Sequence, residues 1–195
     1  MTRIQVVSVP SSSLKNASCG VSILTGAFLR TRQVQSATRT ETLFATWGWL
    51  FPLTYLLHLA EEWWGGEGFP VWINRIAGVE MTAGQFLVWN NLALFCLTMG
   101  VFLAMRIKSL RWLPLAFGVA FLLNALSHLA ASLLTVSYSP GLVSGLLLWT
   151  PLGTVTLLRT RKSLSRRAFR AGLIIGGATH AIVLVLTLLS GQLAT

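Results

Sequence analysis

The side chains best able to do chemistry in this chain are three histidines, His58, His128 and His180, each set inside a long apolar stretch. The first opens the string His58-Leu59-Ala60-Glu61-Glu62, which gathers two of the chain's five acidic residues beside an imidazole. An ionisable group at membrane depth costs roughly 2.5–3.5 kcal/mol even on a lenient insertion scale, so such a cluster is by default a functional site. Two chemistries suit it. In the first, His58, His128, His180 and Glu62 are ligands for a divalent metal, zinc being favoured by imidazole-plus-carboxylate ligation. Glu61 would then be general base on water held by the metal. In the second there is no metal, and Glu61 or Glu62 beside a histidine moves protons on an apolar substrate, isomerising or cyclising a lipid, sterol or terpenoid. Asn124 orients a histidine or the substrate in either case.

Helical periodicity says which of these groups can meet. His58 stands i,i+3 to Glu61 and i,i+4 to Glu62, so both carboxylates can project near the imidazole. Asn124 and His128 are also i,i+4, with Ser132 and Thr135 continuing their stripe. Inward-facing histidines and carboxylates on neighbouring helices build metal sites in four-helix proteins.

The elements that must position them are membrane spans. Residues are 54% hydrophobic and 10% charged, with a mean hydropathy of +0.69; a soluble domain carries about 25% charge. Segments near Leu43–Glu61, Gln85–Met105, Trp112–Val136, Leu142–Leu158 and Ala168–Leu189 approach the roughly 20 apolar residues needed to cross a bilayer core. The expected architecture is an all-α polytopic membrane bundle of about five transmembrane helices over residues 41–195. Pro52 should kink or loosen the first span one to two turns before His58. The fourth is shortest and contains Pro151.

Charge supplies the orientation. Of fifteen Lys and Arg, five lie in the N-terminal tail, three between spans two and three, six between spans four and five, and only Arg75 on the other side. The positive-inside rule then places the N-terminus inside and the C-terminus outside. With about 1.5 Å of rise per residue, His58, Asn124, His128 and His180 fall roughly 18–24 Å from the inner boundary, and Asn90 and Asn91 about 8–10 Å below the outer one. All lie in one layer of the outer half.

The net charge of +10 invites a nucleic-acid partner, but the basic residues sit between spans, where they meet lipid headgroups. No nucleic acid is expected. The partners expected are membrane lipids, an apolar or lipid-like small molecule, and a second copy of the chain if a homo-oligomer completes the site. Cys19 and Cys96 lack a CxxC spacing and predict no disulfide framework. Residues 1–40, rich in Ser and Arg and free of acid, read as a transit peptide, a disordered basic tail or the result of a mis-set start. Residues 63–84 form an interfacial loop in which Trp63, Trp64 and Trp72 suit a headgroup belt. Val71, Trp72, Ile76 and Val79 could make the apolar side of a short helix that serves as a lid.

HLAEE at the end of one apolar span, GFPVW soon after it, and NALSH two spans later resemble the HXXEE family of small bacterial integral membrane proteins. The resemblance covers Leu43 to the last span. His58, Glu61 and Glu62 fill the motif, and Asn124 and His128 match an NxxxH element. It implies a membrane site in a bacterial cytoplasmic membrane and no particular reaction. A looser similarity, of design only, is to membrane sterol isomerases, in which histidine and glutamate act without metal.

Plainer roles compete at each position. His58, Glu61 and Glu62 could simply mark the outer end of span one, with the glutamates solvated. Asn124 and His128 could form an interhelical hydrogen bond, and His180, standing alone, a packing contact. Asn90 and Asn91 read as helix–helix contacts, Glu67 and Glu80 as surface residues, Tyr138 as an interface anchor, and Gly172, Gly176 and Gly177 as a close-packing face. A small proton- or metal-coupled transporter is the third functional class. It needs polar groups on the inner side, and the inner halves of the spans are nearly all apolar.

Overall fold

A computed structural model describes residues 47–190. The expectations for residues 1–40, Cys19 and the start of the first span therefore lie outside the described residues. Six helices carry the fold: α1 Leu50–Trp64, α2 Phe69–Ala77, α3 Ala83–Arg106, α4 Leu113–Thr135, α5 Leu142–Ser163 and α6 Arg166–Leu189. Among the described residues there is no strand.

Four of them, α3 to α6, are long and apolar enough to cross a membrane. Their apolar side chains point outward, with Val88, Phe95, Leu133, Leu134 and Ile174 all more than 60% exposed. Apolar surface on this scale is at home in lipid. The described part of the first predicted span is a 15-residue helix, about 22 Å long and short of a core about 30 Å thick. Pro52 falls in the first turn of α1, just after residues 48 and 49, which form a turn; no intrahelical bond is lost there, because first-turn amides have no partner.

Local chemistry explains most helix ends. Thr82 and Gln85 form a capping box at the start of α3, satisfying two amides reciprocally. Ser165 caps α6 by accepting from the Ala168 amide. Pro151 shapes α5: the run Gly145–Trp149 just before it is π-helical. Widening the turn relieves the clash between a proline ring and the carbonyl four residues back.

Side-chain contacts give the directions. Phe51 packs edge-on against Phe117 and Phe121, and His58 meets Asn124 and His128, so α1 runs parallel to α4. Tyr55 donates to Asn90 and Trp63 stacks on Phe86, so α3 is antiparallel to α1. α5 lies against α4 through Gly118–Thr156 and Ala125–Gly145, also antiparallel. A Cβ on Gly172 would meet Leu115 at 2.7 Å, and one on Gly176 the Ala116 carbonyl at 2.5 Å, so α6 runs parallel to α4 at backbone contact. Close approach over small residues is how helices associate where lipid is as apolar as leucine. Gly177 faces open space and takes no part.

These directions leave two unlike ends. The basic linkers after α3 and α5 gather at one end. His58, His128 and the turn before α5 lie at the other, where α2 also packs. The face of α2 that is buried or half-buried comprises Phe69, Trp72, Ile73 and Ile76, joined by Met81 and Phe86. Val71, expected on that face, is 56% exposed, because the buried stripe follows i, i+3, i+4, i+7 from Phe69.

Candidate metal centre

The i,i+4 relation on α1 brings His58 Nε2 to 3.5 Å from Glu62 Oε1, and α4 brings His128 Nε2 to 3.4 Å from the same oxygen. All three side chains are buried. One ligand atom from each lies within 4.8 Å of the others, so the group could hold a metal ion.

Each ring is held from behind. His58 Nδ1 is 2.8 Å from Ser144 Oγ, and His128 Nδ1 is 2.8 Å from Ser139 Oγ. The Ser144 hydroxyl lies in hydrogen-bonding range of the Glu61 carboxylate and 3.5 Å from the Gly141 carbonyl. When it donates to either, its oxygen accepts from His58 Nδ1–H and leaves the Nε2 lone pair facing Glu62. A second ring nitrogen fixed by an outer partner is the usual condition of a metal-ligating histidine. Asn124 Nδ2 lies 3.3 Å from His58 Nε2. Trp149 stacks on the His58 ring at 3.7 Å, and Phe69 of α2 meets the His128 ring edge-on at 5.9 Å.

The turn between α4 and α5 passes directly over both imidazoles. Gly141 has φ +99°, and a Cβ there would sit 2.8 Å from His58 Cε1 and 2.9 Å from His128 Cε1. Only glycine suits both the backbone angle and the space.

The two motif glutamates part company. Glu62 joins the histidines, whereas Glu61 points to the start of α5. Its carboxylate accepts from the Tyr138 hydroxyl at 2.5 Å, the Val143 amide at 2.9 Å and the Ser144 amide at 2.6 Å. The expectation that both carboxylates would approach the imidazole holds for Glu62 alone, since residues 61 and 62 are about 100° apart around a helix. Burial, and then the facing Glu61 carboxylate, push the Tyr138 phenol well above its ordinary range.

His180 turns inward but stands outside this group, its Nε2 2.9 Å from Ser127 Oγ. Asn90 accepts from Tyr55 across α1 and α3, while Asn91 is exposed and bonds the Leu87 carbonyl of its own helix. Ser132 accepts from the Ser139 amide and so braces the turn. Glu67 pairs with Arg75 and Glu80 is exposed, as expected of surface residues.

A family model described as a protein of unknown function with HXXEE motif matches residues 49–156, more than half of the chain. The chain belongs to the HXXEE family. No curated protein and no solved structure matches it. The matched stretch holds His58, Glu61, Glu62, Asn124, His128 and both clamping serines, and ends before His180. Sequence reasoning misses Ser139, Gly141, Ser144, Tyr55 and Trp149. Tyr55 carries a signal, since it lies i,i+3 to His58; the others act only across helices.

Proposed function

We propose that this HXXEE-family chain is a membrane-embedded metal-dependent enzyme, hydrolase-like, acting on an apolar or lipid-like substrate, with His58, Glu62 and His128 as ligands. The observation that carries the reading is the convergence of two imidazole nitrogens on one carboxylate oxygen at 3.5 and 3.4 Å. Charge-assisted hydrogen bonds are shorter, about 2.7–2.9 Å. Ligands at about 2.0–2.1 Å from a tetrahedral zinc stand about 3.3 Å apart. Two histidines and a glutamate are also a ligand set of hydrolytic zinc enzymes, with the fourth position left for water or substrate.

A metal on this set would supply Lewis-acid polarisation and activation of water. The chain's own groups do the rest. Ser139 and Ser144 hold the two rings, Asn124 stands beside the open side of His58, and Trp149, Phe69 and Trp72 exclude water. We assign α2 the role of lid: it touches His128 through Phe69 and is bracketed by Gly68 and Gly78, both at positive φ. The bundle we propose has about five spans, with helices α3 to α6 as four of them. The orientation we propose sets the basic end inside and the site in the outer half of a bacterial cytoplasmic membrane, where substrate enters from lipid.

Metal analysis of purified wild type and of the His58→Ala/His128→Ala double variant tests this. One equivalent of zinc or another divalent ion in the wild type, lost in the variant, is the expected result. Wild type that takes up no metal on reconstitution refutes it. One observation favours a second reading, in which Glu62 and His58 act as acid and base on a lipid or terpenoid without metal: the Asn124 amide is placed to donate to His58 Nε2. Metal-free protein that still turns over its substrate would select that reading.

A further inference from the structure

The motif carries two adjacent glutamates, and the metal reading uses only the second. Glu61 is half-buried and accepts from two backbone amides at the first turn of α5 and from Tyr138. A carboxylate there satisfies amides that have no helical partner and meets the positive end of the helix dipole. The same turn delivers the Ser144 hydroxyl to His58 Nδ1 at 2.8 Å. A path thus runs from Glu61 through the Ser144 amide and hydroxyl to the far nitrogen of His58.

We propose that Glu61 is a positioning residue: it anchors the start of α5 so that Ser144 locks the His58 ring with Nε2 turned towards Glu62. The two motif glutamates then divide the work, the first fixing the outer shell and the second entering the inner one. Two serines on one six-residue turn, Ser139 and Ser144, hold the two histidines, and Glu61 fastens the half of that turn that serves His58. This inference rests on His58 belonging to the site and is judged separately from whether a metal is bound.

The test compares wild type, Glu61→Gln, Glu61→Ala and Ser144→Ala in detergent, with nitrogen-labelled histidine NMR and amide hydrogen exchange as readouts. In Glu61→Ala the Val143 and Ser144 amides should lose protection and the His58 Nδ1–H signal should move or vanish. The His128 signal, held by Ser139, should stay. Ser144→Ala should reproduce the His58 change with the Val143 amide still protected. Glu61→Gln keeps an accepting oxygen and should restore most of the wild-type pattern. With zinc added, Glu61→Ala should bind one equivalent about 10–100-fold more weakly, as loss of an outer partner does. An unchanged His58 signal in Glu61→Ala, or unchanged amide protection, overturns the proposal. So does loss of the metal equivalent at saturating zinc, which would make Glu61 a ligand. Wild type that takes up no zinc refutes the metal reading alone, and the NMR and exchange results then decide the role of Glu61. If Glu61→Ala does not fold, Glu61→Gln and Ser144→Ala carry the comparison through the same two signals.

Discussion

Replacing Gly141 by alanine adds a single carbon, and the structure says where it goes. That carbon would lie 2.8 Å from His58 Cε1, 2.9 Å from His128 Cε1 and 3.0 Å from His128 Nε2. Carbon atoms rest about 3.5–4.0 Å apart, so the two rings together must give way by roughly 0.5–1 Å. The backbone angle of +99° adds strain of about 1–3 kcal/mol for any residue with a Cβ. Zinc–nitrogen bonds tolerate about 0.2 Å of displacement, so both ligands leave their positions at once. Zinc affinity should fall at least 10–100-fold, the scale set by losing an outer-shell partner, which is about 1.4–2.7 kcal/mol. Competition with a chromophoric chelator in detergent reads this directly, with Gly177→Ala as the control, since a Cβ there meets nothing. Gly141→Ala that folds and binds zinc as tightly as wild type would refute the placement of this turn over the histidines.

Three further outcomes follow from the same contacts. His180→Ala should keep the full metal equivalent while His128→Ala loses it, because His180 meets Ser127 and not Glu62; metal analysis of both decides it. Gly176→Leu should lower the thermal midpoint in detergent by several degrees or prevent folding, because its first side-chain carbon would fall 2.5 Å from the Ala116 carbonyl, while Gly177→Leu should fold. At the surface, the Arg75 guanidinium holds the Glu67 carboxyl below its usual range. The small stability this provides is present above the ordinary carboxylate pKa and lost as pH falls through the depressed one. In Arg75→Gln the Glu67 carboxyl should titrate at its ordinary value, read by carbon NMR; a midpoint that does not rise would mean the pair is not formed.

Much of this architecture is legible in the chain alone. The predicted spans Gln85–Met105, Trp112–Val136 and Ala168–Leu189 differ by at most two residues at either end from helices Ala83–Arg106, Leu113–Thr135 and Arg166–Leu189. Length, apolarity and capping residues are local properties, and helix ends follow from them. The fourth predicted span stops five residues short, at Leu158, since the charged run to Ser163 is polar yet still helical.

That His58 shares a helix face with Glu62, and His128 with Asn124, is likewise a matter of sequence, because the 3.6-residue period places i and i+4 on one face whatever surrounds the helix. Which face of one helix meets which face of another is not periodic information. It depends on the rotation and approach of whole helices, here governed by Gly172, Gly176, Gly118 and the widened turn before Pro151. Only that packing could give Glu61 the start of α5 as its partner, direct His180 to Ser127, and lay the Ser139–Ser144 turn across both imidazoles. The chain by itself determined that histidine and carboxylate would be buried together among helices long and apolar enough to cross a membrane. The tertiary structure decided which of them converge, because the faces of α1 and α4 that meet are set by the packing of whole helices, and a third segment, with a glycine at its tightest position, lies over the point where their three side chains come together.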